Sequence, residues 1–359
     1  MCAKGKVLVA MSGGVDSSVA AWLLREQGYD CIGVTMKLYE NETIGRCRSN
    51  TCCSLEDVED ARSVACRMGM PYYVFNFTED FRRQVIGRFV EAYEKGRTPN
   101  PCIDCNRYLK FQRLYHRARE LGCAYIATGH YARIRQDPDT GRYLLLQAAD
   151  RKKDQSYVLY DLTQEQLSHT LFPLGELTKP EVRSIAEKQG FINAKKHDSQ
   201  DICFVPDGDY AAFLERYTGR TYPPGDFLDS AGRKLGIHRG IIHYTVGQRK
   251  GLGVSGDKPL YVRRISPSDN TVTLGSNAEL FSADLDAEAL NLIAVPRLEA
   301  PLRVTARVRY HQAEQPALLT QTGPDTAHLT FDVPQRAITP GQAVVFYRGD
   351  AVVGGGVIR

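Results

Sequence analysis

No stretch of the 359 residues approaches the ~18 consecutive apolar residues that span a bilayer. The basic start, Lys4 and Lys6, precedes an apolar run, Val7–Met11, too short for a secretory leader. The reading is therefore a cytosolic chain without a membrane. Internal repeats and low-complexity segments are also lacking, which argues against solenoids and disordered tails. Neither sign of charge dominates: 46 Lys and Arg against 42 Asp and Glu leave +4. With 43% hydrophobic and 25% charged residues the composition is that of a globular protein, and its length suits two to three domains.

What is present is unevenly placed. Between Arg82 and Arg119 lie ten Lys and Arg but three acids, so that window carries +7 and the rest −3. Concentrated positive charge points to a polyanion, nucleic acid before membrane. A solvated helix face is the plainer reading of the same residues. There are ten cysteines, and in a reducing compartment clustered cysteines mean metal or catalysis. Cys31, Cys66 and Cys123 sit among apolar residues and read as core. Cys47, Cys52, Cys53, Cys102, Cys105 and Cys203 sit in polar, turn-rich segments.

The first half alternates strand and helix patterns: strands at Lys6–Ala10, Cys31–Met36, Tyr72–Phe77 and Ala124–Thr128, with helices at Asp16–Gln27, Ser54–Met68, Thr78–Lys95 and Asn106–Leu121. Thr178, Pro180 and Glu181 open a further helix that Gly190 ends. Such alternation predicts an α/β fold with a doubly wound parallel sheet. After Phe204 the chain becomes loop-rich and short-stranded. From about Ala283 only strand-like runs remain (Leu302–Tyr310, Ala317–Gln321, His328–Val333, Ala343–Tyr347), which predicts a small β-barrel.

The most informative string is Val7-Leu-Val-Ala-Met-Ser-Gly-Gly-Val-Asp-Ser-Ser18. A buried strand runs through two glycines into a helix, so backbone N–H groups and the helix N-terminus can face an anion. Asp16 would repel phosphate unless a cation such as Mg²⁺ lies between them. The string fits neither Gly-x-x-x-x-Gly-Lys-Ser/Thr nor Gly-x-Gly-x-x-Gly. It resembles the PP-loop signature of ATP pyrophosphatases, which cleave ATP between the α and β phosphates and adenylate a substrate.

Two further segments are Gly96-Arg-Thr-Pro-Asn-Pro-Cys-Ile-Asp-Cys-Asn-Arg-Tyr-Leu-Lys-Phe111 and Ser199-Gln-Asp-Ile-Cys-Phe204. The first puts Cys105 near a helix N-terminus beside Arg107 and Lys110, a setting that favours thiolate. The second places Cys203 in a loop flanked by Asp198 and Asp201. Together with Ala127-Thr-Gly-His-Tyr-Ala-Arg133, Lys153-Asp-Gln-Ser-Tyr157, Tyr244-Thr-Val-Gly-Gln-Arg-Lys-Gly-Leu-Gly253 and Pro340-Gly-Gln342, the chain resembles the tRNA-specific 2-thiouridylase family from Gly5 to Arg359.

That resemblance implies a PP-loop catalytic domain (1–206), a small central domain (207–282) and a tRNA-contacting C-terminal β-barrel (283–359). It implies adenylation of the wobble uridine's carbon-2 oxygen in the tRNA anticodon stem-loop, then attack by a cysteine persulfide. Cys203 matches the persulfide carrier and Cys105 the second, nucleophilic cysteine. ATP contacts map to Ala10, Met11, Ser12, Gly13, Gly14, Val15, Asp16, Ser17, Met36 and Gly129, with Mg²⁺ near Asp16. Contacts to tRNA map to Asn100, Pro101, Cys102, His130, Lys153, Asp154, Gln155, Arg309, Tyr310 and Gln342. The implied partner besides tRNA is a sulfur donor, such as a cysteine desulfurase or a sulfur relay protein.

One departure from the family pattern stands out. The best-studied members carry aspartate directly after Asn-Pro, where this chain has Cys102; Asp104, two residues on, is the candidate acid/base group. Zinc would need four ligands, and one CxxC is too few. An iron–sulfur cluster on Cys102, Cys105 and Cys203 is the alternative to the persulfide route, which is preferred. Cys47, Cys52 and Cys53 receive no role. The rival functions are a small-molecule PP-loop amidotransferase or synthetase, and a non-catalytic RNA-binding protein.

Overall fold

The computed structural model describes residues 4–40, 55–197, 202–205, 207–254 and 258–359. Ser54, Cys47, Cys52, Cys53, Asp198 and Asp201 lie outside them. The chain forms two compact units, one of Met1–Ile86, Cys102–Gly208 and Asp350–Val352, the other of Gly87–Pro101, Asp209–Gly349 and Val353–Arg359.

The first unit is built on a five-stranded parallel sheet. Its strands are β1 (Lys6–Ala10), β2 (Asp30–Lys37), β3 (Tyr72–Asn76), β4 (Tyr125–Ala127) and, after an antiparallel hairpin of β5 (Ala132–Gln136) and β6 (Tyr143–Gln147), β7 (Thr170–Leu171). The order is β3-β2-β1-β4-β7. Val7, Leu8 and Val9 of the central strand are fully buried, as an unbroken apolar run requires in a strand covered on both faces. Helices α1 (Val15–Glu26), α2 (Leu55–Arg67) and α3 (Lys179–Lys188) carry the main apolar cluster, through Val19, Ala20, Leu24, Ala61, Val64 and Val182. Glu181 accepts hydrogen bonds from the N–H and hydroxyl of Thr178 at 2.7 Å each, holding the start of α3 as its sequence predicts. Cys31 and Cys123 are buried. Cys66, expected in the core, is exposed on the outer side of α2.

The two helices expected at Thr78–Lys95 and Asn106–Leu121 are interrupted. Thr78–Phe81 and Gly87–Glu94 flank a π-helical turn at Arg82–Ile86, and Pro101–Asp104 and Leu114–Glu120 flank a longer one at Cys105–Arg113. Much of the +7 window is locally neutralised: Arg82 pairs with Glu79, Lys95 with Glu91, Arg107 with Asp161, Arg113 with Asp80 and Arg117 with Glu120.

In the second unit, helix α4 (Tyr210–Thr218) precedes a four-stranded sheet of β8 (Gly225–Leu228), β9 (Lys234–His238), β10 (Tyr261–Ser266) and β11 (Thr271–Gly275), ordered β10-β11-β8-β9. Six longer strands follow: β12 (Phe281–Leu292), β13 (Leu302–Arg307), β14 (Gln315–Gln321), β15 (Ala327–Arg336), β16 (Ala343–Arg348) and β17 (Ala351–Ile358). Their order, β12-β15-β14-β13-β16-β17, closes through pairing of β12 with β17 into an antiparallel barrel around Val304, Ala306, Leu319, Leu329 and Phe346. Gly87–Pro101 joins this unit through both side chains and backbone. Tyr93 stacks on Tyr210 at 4.6 Å, Arg97 pairs with Glu288, and Thr98 N–H donates to the Pro340 carbonyl.

Candidate active site

In an open parallel sheet a ligand site forms where the strand order reverses, at the carboxyl ends of the strands. Here that point lies between β1 and β4. The loop after β1 runs through Ala10, Met11, Ser12, Gly13 and Gly14 into Val15, Asp16 and Ser17 at the start of α1. Gly13 has φ +74°, and a Cβ there would lie 2.4 Å from the Asp57 carbonyl, so only glycine fits. The loop is stapled internally. Ser17 Oγ accepts from Ser12 N–H and donates to the Gly14 carbonyl, while Asn193 Nδ2 donates to the Gly13 carbonyl and to Ser18 Oγ. Next to it, Met11 N–H donates to Val34, and Thr35 Oγ1 donates to the Met11 carbonyl, immediately before Met36 on β2. Gly129, beyond β4, packs so closely on α1 that a Cβ would lie 2.8 Å from Ser17 N. Ser12 is the exposed member, at the mouth of the loop.

The carboxylate of Asp16 is held by residues that sequence reasoning missed. Lys179 Nζ donates to Oδ1 and Oδ2 at 2.7 and 2.8 Å, and Tyr131 OH donates to Oδ1 at 2.8 Å. The Lys179 side chain is only 9% exposed, which places a nearly buried ammonium beside the phosphate loop. The signal for it in the sequence is a lysine at the first position of the capped helix that opens Thr178-Lys-Pro-Glu181. One carboxylate is what Mg²⁺ riding on a nucleotide ordinarily takes from protein. Asp16 can supply it by yielding an oxygen now held by Lys179.

His130 follows Gly129 and is buried between Phe111 and Phe172. Lys110 Nζ lies 3.4 Å from Nε2. An ammonium can only donate, so Nε2 accepts and the Nδ1 proton goes to Thr128 Oγ1 at 2.6 Å. Burial, reinforced by the Lys110 charge, holds the imidazole far below its usual range and keeps it neutral. Of the neighbouring tRNA candidates, Asp154 is buried. It accepts from the N–H groups of Ala148 and Ser156 and the Ser156 hydroxyl, so it shapes a turn. Gln155 exchanges hydrogen bonds with the Tyr131 backbone, leaving Lys153 as the half-exposed cation of that run.

The thiols differ in setting. The helix starts at Pro101, so Cys102 is the exposed residue of the first turn and Cys105 begins the π-helical turn behind it. Proline suits the first helical position, and Cys105 follows four residues on, near the N-terminus as expected. Asn106 Nδ2 ties this helix to the Val158 carbonyl. Burial, then Asp161 and Tyr157, push the Tyr160 phenol well up, and Asp104 acts on it in the same direction from beside Cys105. Cys203 is half-buried. Its carbonyl accepts from Tyr39 OH at 3.1 Å, and the next residue, Phe204, is packed edge-on against Phe81. Among the described residues no three His, Cys, Asp or Glu side chains are grouped so as to hold a single metal ion.

The remaining candidates belong to the second unit. Asn100 is half-exposed and Pro101 buried. Arg309 donates to the Val246 and Ala337 carbonyls and to Thr339 Oγ1, tying the barrel to the 246 segment. Tyr310 lies against His311, and Gln342 Nε2 donates to the Thr98 carbonyl.

Residues 5–207 match the family described as tRNA methyl transferase HUP domain, 211–276 its PRC-barrel domain, and 282–358 the aminomethyltransferase beta-barrel domain. The chain is 52% identical to the tRNA-specific 2-thiouridylase MnmA of Clostridioides difficile (strain 630), over 99% of this chain and 98% of that one. It is likewise 52% identical to that of Acetivibrio thermocellus, over 99% of each. Against that of Carboxydothermus hydrogenoformans the identity is 53%, over 99% of this chain and 97% of the relative.

Proposed function

The chain belongs to the tRNA-specific 2-thiouridylase family, and from that premise we propose that it replaces the carbon-2 oxygen of the tRNA wobble uridine with sulfur at the expense of ATP. The urea-like oxygen is a poor leaving group and must be activated first. In the proposed first step it attacks the α-phosphorus of ATP held at residues 10–17, Met36 and Gly129, and pyrophosphate leaves. The loop N–H groups and the start of α1 face the phosphates, and Lys179 supplies positive charge beside them. A Mg²⁺ ion carried in with ATP would be held by Asp16 and would neutralise phosphate charge.

In the second step the terminal sulfur of a Cys203 persulfide attacks carbon 2, and AMP departs with the original oxygen. The Cys105 thiolate then attacks the Cys203 sulfur. A Cys105–Cys203 disulfide forms, and the thiocarbonyl stays on the uracil. A thiol reductant resets the disulfide, and a desulfurase or sulfur relay protein reloads Cys203. Asp104 is the acid/base candidate for proton transfer near Cys105. In this reading residues 1–206 perform the chemistry, 207–282 and 283–359 bind tRNA, and the enzyme works in the cytosol.

The observation that carries the proposal is that one α/β unit holds both a stapled phosphate loop at the sheet's switch point and the two thiols. Pyrophosphate release with and without tRNA tests it. Release that depends on tRNA is expected; release without tRNA favours a small-molecule synthetase, and none in either case favours a binding protein.

A further inference from the structure

Many exposed cations among the described residues have a carboxylate at hand, as Arg233 has Asp229 and Arg303 has Asp332. One group in the second unit does not. Among the described residues, Arg249, Lys250, Arg264 and Arg336 form no ion pair with a carboxylate, and all four are exposed.

Their grouping is built by the backbone. The ladder between β10 and β11 pairs Val262 with Leu274 and then Arg264 with Thr273, leaving Arg263 as the extra residue of a β-bulge. Side chains on a regular strand alternate faces, so two successive arginines would point opposite ways; the bulge leaves both Arg263 and Arg264 in solvent. Beside them, Gly247 N–H donates to the Val262 carbonyl and Val262 N–H to that of Gln248, which lays the Arg249–Lys250 turn along the bulged strand. The Gln248 side chain grips that turn from both ends, accepting from Thr245 N–H and donating to the Lys250 carbonyl at 3.0 Å each. Gly247, at φ +89°, leaves room for Ala337, whose Cβ would be 2.7 Å from an added Cβ. Arg336 approaches from the neighbouring barrel strand, resting on the Tyr261 ring at 5.2 Å with Nε on Asn277. The acid nearest in effect is Glu279, which feels Arg263 but is held by Ser230 and Ser276.

We propose that Arg249, Lys250, Arg263, Arg264 and Arg336 form a preorganised site for the phosphate backbone of the tRNA substrate. The proposal rests on the tRNA reading above and gives the Tyr244–Gly253 motif its role. Exposed cations on a fixed ridge contact phosphates and set register without reading bases. A protein partner would call for an apolar centre, which this ridge of charged side chains does not offer.

The test is tRNA affinity across a salt series, with tRNA-dependent pyrophosphate release, for the wild type, Arg249→Gln/Lys250→Gln, Arg264→Gln, the charge-conserving Arg249→Lys, and the paired control Arg233→Gln. Each lost phosphate contact lowers the log–log salt slope by about 0.7 to 0.9, so the double variant should lose about 1.5. Its KM for tRNA should rise roughly tenfold with kcat retained, because the contacts position rather than react. Arg249→Lys and Arg233→Gln should keep the wild-type slope. Unchanged slope and KM in the double variant and Arg264→Gln overturn the proposal. If those stay unchanged while sulfur loading from the donor protein falls, the ridge serves that protein instead. A wild type that releases no pyrophosphate with tRNA refutes the functional reading itself, a result separate from any difference among variants.

Discussion

Asp16 takes hydrogen bonds from Lys179 and Tyr131 on one carboxylate, and its substitutions separate two roles. Asp16→Asn keeps size and one acceptor oxygen but removes the charge that offsets Lys179. It should cut tRNA-dependent pyrophosphate release at least ~100-fold while tRNA affinity stays unchanged in a filter-binding assay. Asp16→Ala should also destabilise the first unit, by up to about 3–5 kcal/mol in urea melts, since it strands a nearly buried ammonium. Parallel loss of tRNA binding in Asp16→Asn would contradict this division. The thiols are separable in the same way. Cys203→Ser and Cys105→Ser should both release pyrophosphate with tRNA yet fail multiple-turnover thiolation, and only Cys203→Ser should refuse labelled sulfur from a desulfurase. Cys102→Ser should stay active; a dead variant whose parent contains iron would replace the persulfide route with a cluster. His130 gives a pH signature. Its imidazole stays neutral when folded but takes a proton near pH 6.5 when unfolded, so its contribution is lost as pH falls below that value. Between pH 7.5 and 5.5 the wild type should lose about 1 kcal/mol more stability than His130→Gln. Equal losses would show that the ring is not protected from protonation.

Close approaches between elements decide the geometry of the phosphate loop. Gly129→Ala would press a methyl group on Ser17 N and on Asp16, both within 3.0 Å of the new Cβ. Forcing β4 from α1 should raise KM for ATP about tenfold or more while leaving sulfur loading of Cys203 intact, and an unchanged KM would place the nucleotide elsewhere. Strand–helix alternation, the β1–α1 loop and the Thr178–Glu181 helix start were legible in the sequence because each rests on local chemistry. The π-helical turns at Arg82–Ile86 and Cys105–Arg113 were not, since their residues keep the apolar spacing of an ordinary helix. Nor was the β5–β6 hairpin, whose strands Ala132–Gln136 and Tyr143–Gln147 flank a polar turn. The Arg82–Arg119 stretch shows a further limit. Charge density is visible in sequence, but the carboxylates that neutralise Arg107 and Arg97 come from Asp161 and Glu288, 54 and 191 positions away. Arg263 and Arg264, which have no such partner among the described residues, lie on a bulged strand whose register no local pattern announces.

Taken whole, the molecule joins an α/β nucleotide unit to a unit of mixed sheet and closed barrel, and no helix among the described residues is long and apolar enough to cross a membrane. The matched family carries a description that speaks of methyl transfer, while the full-length relatives are 2-thiouridylases. The two chemistries leave different atoms on the RNA, which makes the product the direct test. Purified protein, ATP, a desulfurase with cysteine and unmodified tRNA should yield, after nuclease digestion and mass spectrometry, a uridine in which one oxygen is replaced by sulfur. That nucleoside should appear at the wobble position, in amounts that follow pyrophosphate released and vanish with Cys203→Ser. A methylated nucleoside, or unmodified uridine despite tRNA-dependent pyrophosphate release, would contradict it.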